Sequence, residues 1–252
     1  MNQRDKAALF KSLHVKGDPL VLYNIWDAGG AKALADAGAP AIATGSWSMA
    51  AAHGFADGEK IPLDFVLQIV ARIAASVDLP LTVDFEGGYA TDPADVAQNI
   101  TKVVQAGAVG INFEDRVVQG DGLYPVAAQA ERIKAARAAA DTEAVPLFIN
   151  ARTDLFLGSD PATHAALMDE ALTRAAAYAA AGADGFFVPG LTDASLIRRV
   201  TDPARLPVNV MMIGALTSIG DVEALGVSRA SFGPGPYVSA QSDLQKRYAA
   251  LE

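Results

Sequence analysis

Four times along this chain of 252 residues the same short phrase returns: AGAPAIATG at 37–45, AGAVGINFED at 106–115, AGADGFFVPG at 181–190 and, in weaker form, LGVSRASFG at 225–233. Each copy carries one physical meaning. An Ala-rich helix stops at a Gly that tolerates a left-handed turn, and about five apolar or β-branched residues follow, as in a strand buried on both faces. Between the copies lie apolar runs with Pro at the entrance, DPLVLYNIWD, DLPLTVDFEGG, AVPLFINARTD and LPVNVMM. Together they predict eight strands near 19–25, 40–44, 80–85, 109–113, 146–151, 184–188, 206–212 and 228–232. Eight helices should alternate with them. The stretches 62–76, 93–106, 126–140 and 164–181 carry apolar residues at three- and four-residue spacing with charges opposite.

Repeated βα units over this length predict an α/β chain folded as one (β/α)8 TIM barrel, a single domain over residues 1–252. The rival is a doubly wound open sheet. That fold usually carries a Gly-rich phosphate turn after its first strand, where this chain has NIWDAGG. Asp and Glu outnumber Lys and Arg by 29 to 20, a formal charge of -9, so the surface disfavours nucleic acid and anionic lipid as partners. The N-terminus lacks a signal peptide's apolar stretch and no membrane span is present, so the expected location is the cytoplasm. The absence of Cys excludes thiol nucleophiles, thiolate zinc and iron–sulfur chemistry.

In a barrel of this kind the C-terminal strand ends converge on one mouth, where polar groups serve chemistry. Those ends offer Asn24 and Asp27, then Thr44, Gly45 and Ser46, then Asp84 and Glu86, then Glu114, Asp115 and Arg116, then Arg152, Thr153 and Asp154, with Asn209 and SFGPGP later. Strand alternation aims Asp84 and Glu86 to one side, and with Glu114 they form a trio of carboxylates that repel unless a cation sits among them. Oxygen-only donors favour Mg2+, with Mn2+ the alternative. The competing reading has these acids capping helices or pairing with Arg116 and Arg152. The two glycines of DFEGGY speak for a close backbone approach to something else. Arg152, at the end of an apolar strand, suits a bidentate carboxylate or phosphonate, or serves Asp84 or Glu114 as counter-ion. Thr44, Gly45 and Ser46 make a small-residue turn that could cradle an anionic oxygen. All eight lysines lie outside the predicted strands, so no Schiff-base amine is placed, and His53, the one imidazole near the mouth, reads as surface or helix packing.

These motifs resemble the isocitrate lyase / phosphoenolpyruvate mutase superfamily over residues 18–235. DxDTGYG is similar to Asp84-Phe85-Glu86-Gly87-Gly88-Tyr89-Ala90, E-D-K/Q to Glu114-Asp115-Arg116, A-R-T-D is intact at 151–154, and the S-G turn is similar to Thr44-Gly45-Ser46. The resemblance implies Mg2+ held by Asp84, Glu86 and Glu114, and a 2-oxo acid substrate bound by Thr44, Gly45, Ser46, Asp84, Arg152 and Asn209. It also implies catalytic roles for Asp57, Glu114 and Arg152, cleavage of a C–C or C–P bond beside the carbonyl through a metal-bound enolate, and a homodimer or homotetramer exchanging its C-terminal helix. Departures narrow it. The stretch EDRVVQGDGLYPV has no Cys, Lys or His where lyases of the family carry a K-K/R-C-G-H loop, and no gating-loop Lys and Asn as in a mutase or phosphonopyruvate hydrolase. An oxaloacetate-like acid is therefore expected ahead of isocitrate, a phosphonopyruvate-like acid stays within the class the resemblance implies, and the alternative is a non-catalytic barrel binding a 2-oxo acid as sensor or scavenger.

Overall fold

The computed structural model describes residues 1–251. The recurring phrase does what its glycines predict. Gly38, Gly107, Gly182 and Gly226 all have positive φ, from 72° to 106°. After each, the next N–H donates back across the helix end to a carbonyl five residues earlier: Ala39 to Leu34, Ala108 to Val103, Ala183 to Tyr178 and Val227 to Val222. The same helix-terminating motif thus turns the chain into a strand four times over.

Eight strands form one parallel sheet: β1 (Leu20–Leu22), β2 (Ile42–Ala43), β3 (Leu81–Asp84), β4 (Gly110–Glu114), β5 (Phe148–Arg152), β6 (Gly185–Phe187), β7 (Val208–Met211) and β8 (Arg229–Ser231). Their order, β1-β8-β7-β6-β5-β4-β3-β2, wraps the sheet round to meet itself. The closing join of β1 to β2 is slight. It consists of the bridge between Ile25 and Thr44, in which Ile25 N–H donates to Ala43 O and Gly45 N–H to Ile25 O. Asn24 reinforces it, donating from Nδ2 to Thr44 O and accepting at Oδ1 from the N–H groups of Phe232 and Gly233.

Helices α2 (Ala28–Asp36), α4 (Leu63–Ser76), α5 (Pro93–Gln105), α6 (Val126–Thr142), α7 (His164–Ala180), α8 (Ala194–Thr201) and α9 (Ile219–Ala224) follow the first seven strands around the outside. Their starts are marked by side chains that accept a free backbone N–H, as at Asp27, Asp92, Asp193 and Ser218. Three further helices complete the chain: α1 (Gln3–Ser12), α3 (Ser46–Ala52) and α10 (Gly235–Ala249). α1 closes the N-terminal end of the barrel and buries Phe10, and just past its end His14 stacks on Phe148 at 4.1 Å between ring centroids. His53 ends α3, packed edge-on against Phe65 of α4, a helix-packing role. No helix among the described residues is long and apolar enough to cross a membrane.

The interior departs from the apolar filling usual for such a barrel. Alternation along β4 turns Ile111 and Phe113 toward the helices and Asn112 toward the axis, where Asn150 Nδ2 and Arg229 Nη2 both donate to its Oδ1 at 2.9 and 3.1 Å. Asn209 and Ser231 pair beside them. A hydrogen-bonded layer of amides, a hydroxyl and one guanidinium therefore lies between the apolar base and the mouth.

Candidate active site

The C-terminal mouth holds a cavity of about 170 Å3, whose polar side is made by Ser46, Asp57, Asp84, Asn112 and Arg152 and whose far wall is Leu157, Phe187, Pro189 and Met211. Asp84 ends β3 and is fixed on all sides. Its Oδ2 accepts from Ser46 N–H at 3.2 Å and Ser46 Oγ at 2.8 Å, its Oδ1 from Asn112 Nδ2 at 3.3 Å, and its own N–H donates to Thr44 Oγ1. The Thr44-Gly45-Ser46 turn thus spends its N–H groups within the protein: Thr44 on Thr82 O, Gly45 on Ile25 O and Ser46 on Asp84. The anion the turn holds is Asp84 itself.

Arg152 stands across from Asp84 on β5. Its Nε and Nη2 donate to the two oxygens of Asp154 at 2.5 and 2.9 Å, and its Nη1 lies 3.0 Å from Glu114 Oε2 and 4.0 Å from Asp84 Oδ1. Burial works against the guanidinium charge, but Glu114, Asp154 and Asp84 outweigh it and keep Arg152 protonated. Burial pushes the Glu114 carboxyl up, and Arg152 pulls it back. The counter-ion alternative for Arg152 is realised, with Glu114 and Asp154 as its partners, and the side chain also lines the cavity.

The alternation that would aim Glu86 beside Asp84 ends with the strand. Glu86 adopts φ 48°, an uncommon left-handed conformation for a side chain of this size, and its Oε2 accepts from Glu59 N–H at 2.9 Å. It is 4% exposed, and its carboxyl is pushed up to about 8, first by burial and then by the charges of Asp57 and Asp84. Asp57 reaches the cavity from a largely exposed loop, and its carboxyl is likewise raised by partial desolvation and then by Asp84, with the Gly58 N–H opposing. Asn209 lies below the cavity, donating to Ser231 Oγ. The glycines of DFEGGY do permit a close approach, but to protein. A Cβ at Gly87 would lie 2.9 Å from Val118, and one at Gly88 2.9 Å from Phe113.

Among the described residues no three carboxylates or imidazoles converge tightly enough to hold a metal by themselves. The expected trio is spread out, with Glu86 turned to Glu59 and Glu114 to Arg152. The donor set nevertheless suits a hard divalent ion. Such an ion keeps several waters and takes only one or two carboxylates directly, and the charge of Asp84 raises the proton affinity of Asp57 and, with Asp57, that of Glu86, the repulsion that a cation relieves.

Several supports were not read from the sequence. Arg132 of α6, 2% exposed, donates to the carbonyls of Gly87 and Ala90 and lies over the rings of Phe113 and Tyr124, at 4.9 and 4.1 Å. Gln129 Nε2, one turn earlier, donates to Glu114 O. Asp115, offered by the sequence as a strand-end acid, is instead fully buried away from the cavity, accepting from Tyr178, Arg174 and the N–H of Asp154. A Gln and an Arg at i, i+3 on an Ala-rich helix give little sign of such roles, but both lie on its buried face. A second cavity, of about 230 Å3, lies outside the mouth against Gly87, Arg116 and Arg132 and contains neither Asp84 nor Arg152.

Comparison with known proteins agrees with the fold. The profile of the phosphoenolpyruvate phosphomutase family matches residues 10–252. A solved structure from Burkholderia cenocepacia J2315, described provisionally as a phosphonomutase, is 47% identical over the full length of both chains with a TM-score of 0.97. The 2-methylisocitrate lyase of Salmonella typhimurium is 30% identical over all of this chain and 86% of its own. A phosphonopyruvate hydrolase solved with oxalate and Mg2+ shares the fold, with a TM-score of 0.85 at 21% identity over 98% of this chain and 86% of its own.

Proposed function

Because the chain belongs to the phosphoenolpyruvate phosphomutase family, within a superfamily of lyases, hydrolases and mutases, we propose that it cleaves a C–C or C–P bond beside the carbonyl of a small 2-oxo acid at the barrel mouth. The observation that carries this reading is the meeting of Asp57, Asp84 and Arg152 around one cavity. Asp84 would hold a divalent ion, Mg2+ or Mn2+, with Asp57 and Glu86 engaging its waters and Glu114 acting through Arg152. When bound, the ion supplies Lewis-acid stabilisation of negative charge developing on the carbonyl oxygen.

The chain's own groups do the rest. Ser46 fixes Asp84 through two hydrogen bonds, so its orientation costs nothing when ligand arrives. Arg152 is held rigid by Asp154 and Glu114 and keeps N–H donors for a carboxylate or phosphonate, since a guanidinium has more donors than these contacts use. Asp57, with its raised proton affinity, is placed to hold or move a proton at its carboxyl oxygen. Leu157, Phe187, Pro189 and Met211 exclude water from the carbon chain. The loop after β4 is pinned by the bridge between Arg116 and Leu123 and carries no Cys, Lys or His. That favours decarboxylation of an oxaloacetate-like acid over isocitrate cleavage, which needs an acid from this loop.

The test is an assay of purified protein against a panel of 2-oxo acids with Mg2+ and with EDTA, alongside oxalate titration of the parent and of Asp84→Ala. Metal-dependent turnover lost in the variant supports the proposal. Oxalate binding without turnover of any panel member would make the protein a binder, and oxalate affinity equal in parent and variant would remove the site.

A further inference from the structure

Arg229 points from β8 into the barrel axis and is 1% exposed. Its guanidinium meets only neutral groups. Nη2 donates to Asn112 Oδ1 at 3.1 Å, Nε donates to Ser231 Oγ at 3.3 Å, and Nη1 has no partner. Below it, His14 is held neutral, its pKa brought down to about 3 by burial and then by Arg229 itself. Burial lowers the arginine to about 9, with Asp84 the one charge opposing that shift, so it stays protonated at neutral pH. A buried, unpaired cation costs stability, and an apolar side chain of similar size would be better tolerated there.

Both groups that Arg229 touches, Asn112 and Ser231, line the mouth cavity. Asn112 Oδ1 receives two hydrogen bonds from below, from Arg229 and from Asn150 Nδ2, which leaves its Nδ2 turned up toward Asp84 Oδ1 and the cavity. Reversing this amide would set its N–H groups against two other donors. Among the described residues lining the cavity, moreover, the carboxylates of Asp57 and Asp84 face Arg152 as the sole cation, and Arg152 is already engaged by Glu114 and Asp154. Such a set would repel an anion approaching it.

We propose that Arg229 is a positioning residue for the anionic ligand: its charge beneath the cavity floor offsets the surrounding carboxylates, and its hydrogen bond locks Asn112 with its N–H donors toward the ligand. The inference rests on the reading of the mouth as a 2-oxo acid site and adds the residue that makes an acid-rich mouth receptive to an anion. Arg229 never touches the ligand; it acts through Asn112, Ser231 and its field.

The experiment titrates oxalate in saturating Mg2+ into the parent and into Arg229→Met, Arg229→Gln and Arg229→Lys by calorimetry, with thermal melts of the ligand-free proteins. Met should melt at or above the parent temperature yet bind oxalate at least tenfold more weakly. Gln should bind as weakly as Met, whereas Lys should stay within threefold of the parent. Equal affinity in Lys and Gln, or parent-like affinity in Met or Gln, overturns the proposal, as does a Met variant that loses melting temperature with oxalate affinity intact. Should Met not fold, the comparison of Lys with Gln decides alone. A parent that binds no oxalate sinks the 2-oxo acid reading and this inference with it, whereas a parent that binds and variants that all match it sink the inference only.

Discussion

Replacing Glu86 by Gln in metal-free protein should make the chain more stable, and by an amount that depends on pH in a defined way. The folded carboxyl takes up its proton near 8 and the unfolded one near the ordinary 4.5. Between these values the folded state binds more protons, so the parent loses stability as pH rises from 4.5 and levels off only above 8. At pH 7 the gap from 4.5 is about 2.5 pH units, which at about 1.4 kcal/mol each is about 3 kcal/mol; at pH 5 it is under about 1 kcal/mol. Gln cannot ionise and can still accept from the Glu59 N–H that Glu86 Oε2 now takes. Urea unfolding in EDTA should therefore show Glu86→Gln more stable than the parent by about 3 kcal/mol at pH 7 and by much less at pH 5. Added Mg2+ should reverse the order by stabilising the parent more. A variant no more stable than the parent at pH 7, or one whose gain is the same at both pH values, would refute the reasoning.

His14 should make the opposite contribution. The unfolded ring protonates near 6.5 and the folded one near 3, so its share of stability is intact above 6.5 and declines as pH falls. Between pH 7.5 and 5 the loss is about 2 kcal/mol, and it should be missing from His14→Phe; parallel pH profiles of the two proteins would contradict this. Gly190→Ala places a Cβ 2.5 Å from Phe156 O at a φ of 89°, so the backbone beside Leu157 must move. A loss of at least about 1 kcal/mol in the melt and weaker oxalate binding are expected, and no change in either would show that this approach is not needed. Helix α10 leaves Val238, Leu244 and Tyr248 open to solvent, which predicts self-association as a dimer or tetramer; light scattering that finds a monomer at micromolar concentration would argue against it.

Much of the barrel was legible because its punctuation is local. A Gly that must take a positive φ ends a helix whatever surrounds it, and Pro80 and Pro207 stand immediately before β3 and β7. The strand-end acids were legible for a related reason, since the C-terminal ends of the strands gather at one mouth in any such barrel. The polar interior was not. Asn112, Asn150 and Arg229 each sit inside an apolar run, and a predicted barrel sets β8 opposite β4 without saying that Arg229 and Asn112 turn inward at one level and meet. Glu86 was misaimed because its alternation was extended past the end of β3 into a residue with φ 48°. The cradle at Thr44–Ser46 was read as receptive because backbone donors are counted easily from sequence, whereas their partners are distant: Thr44 and Gly45 donate to the carbonyls of Thr82 and Ile25, and Ser46 to the carboxylate of Asp84, 38 residues away along the chain.

The join of β1 to β2 has a consequence for how the cylinder opens. Every other pair of staves is stitched by a ladder, but this one depends on Ile25, Gly45 and the amide of Asn24, so amide hydrogens there should exchange with solvent before those of β4 or β5. Asn24, Gly45 and Ser46 also rim the mouth. A molecule lodged in the cavity would therefore act as a rivet across the weakest seam, slowing exchange at Ile25 and Gly45 more than anywhere else in the wall.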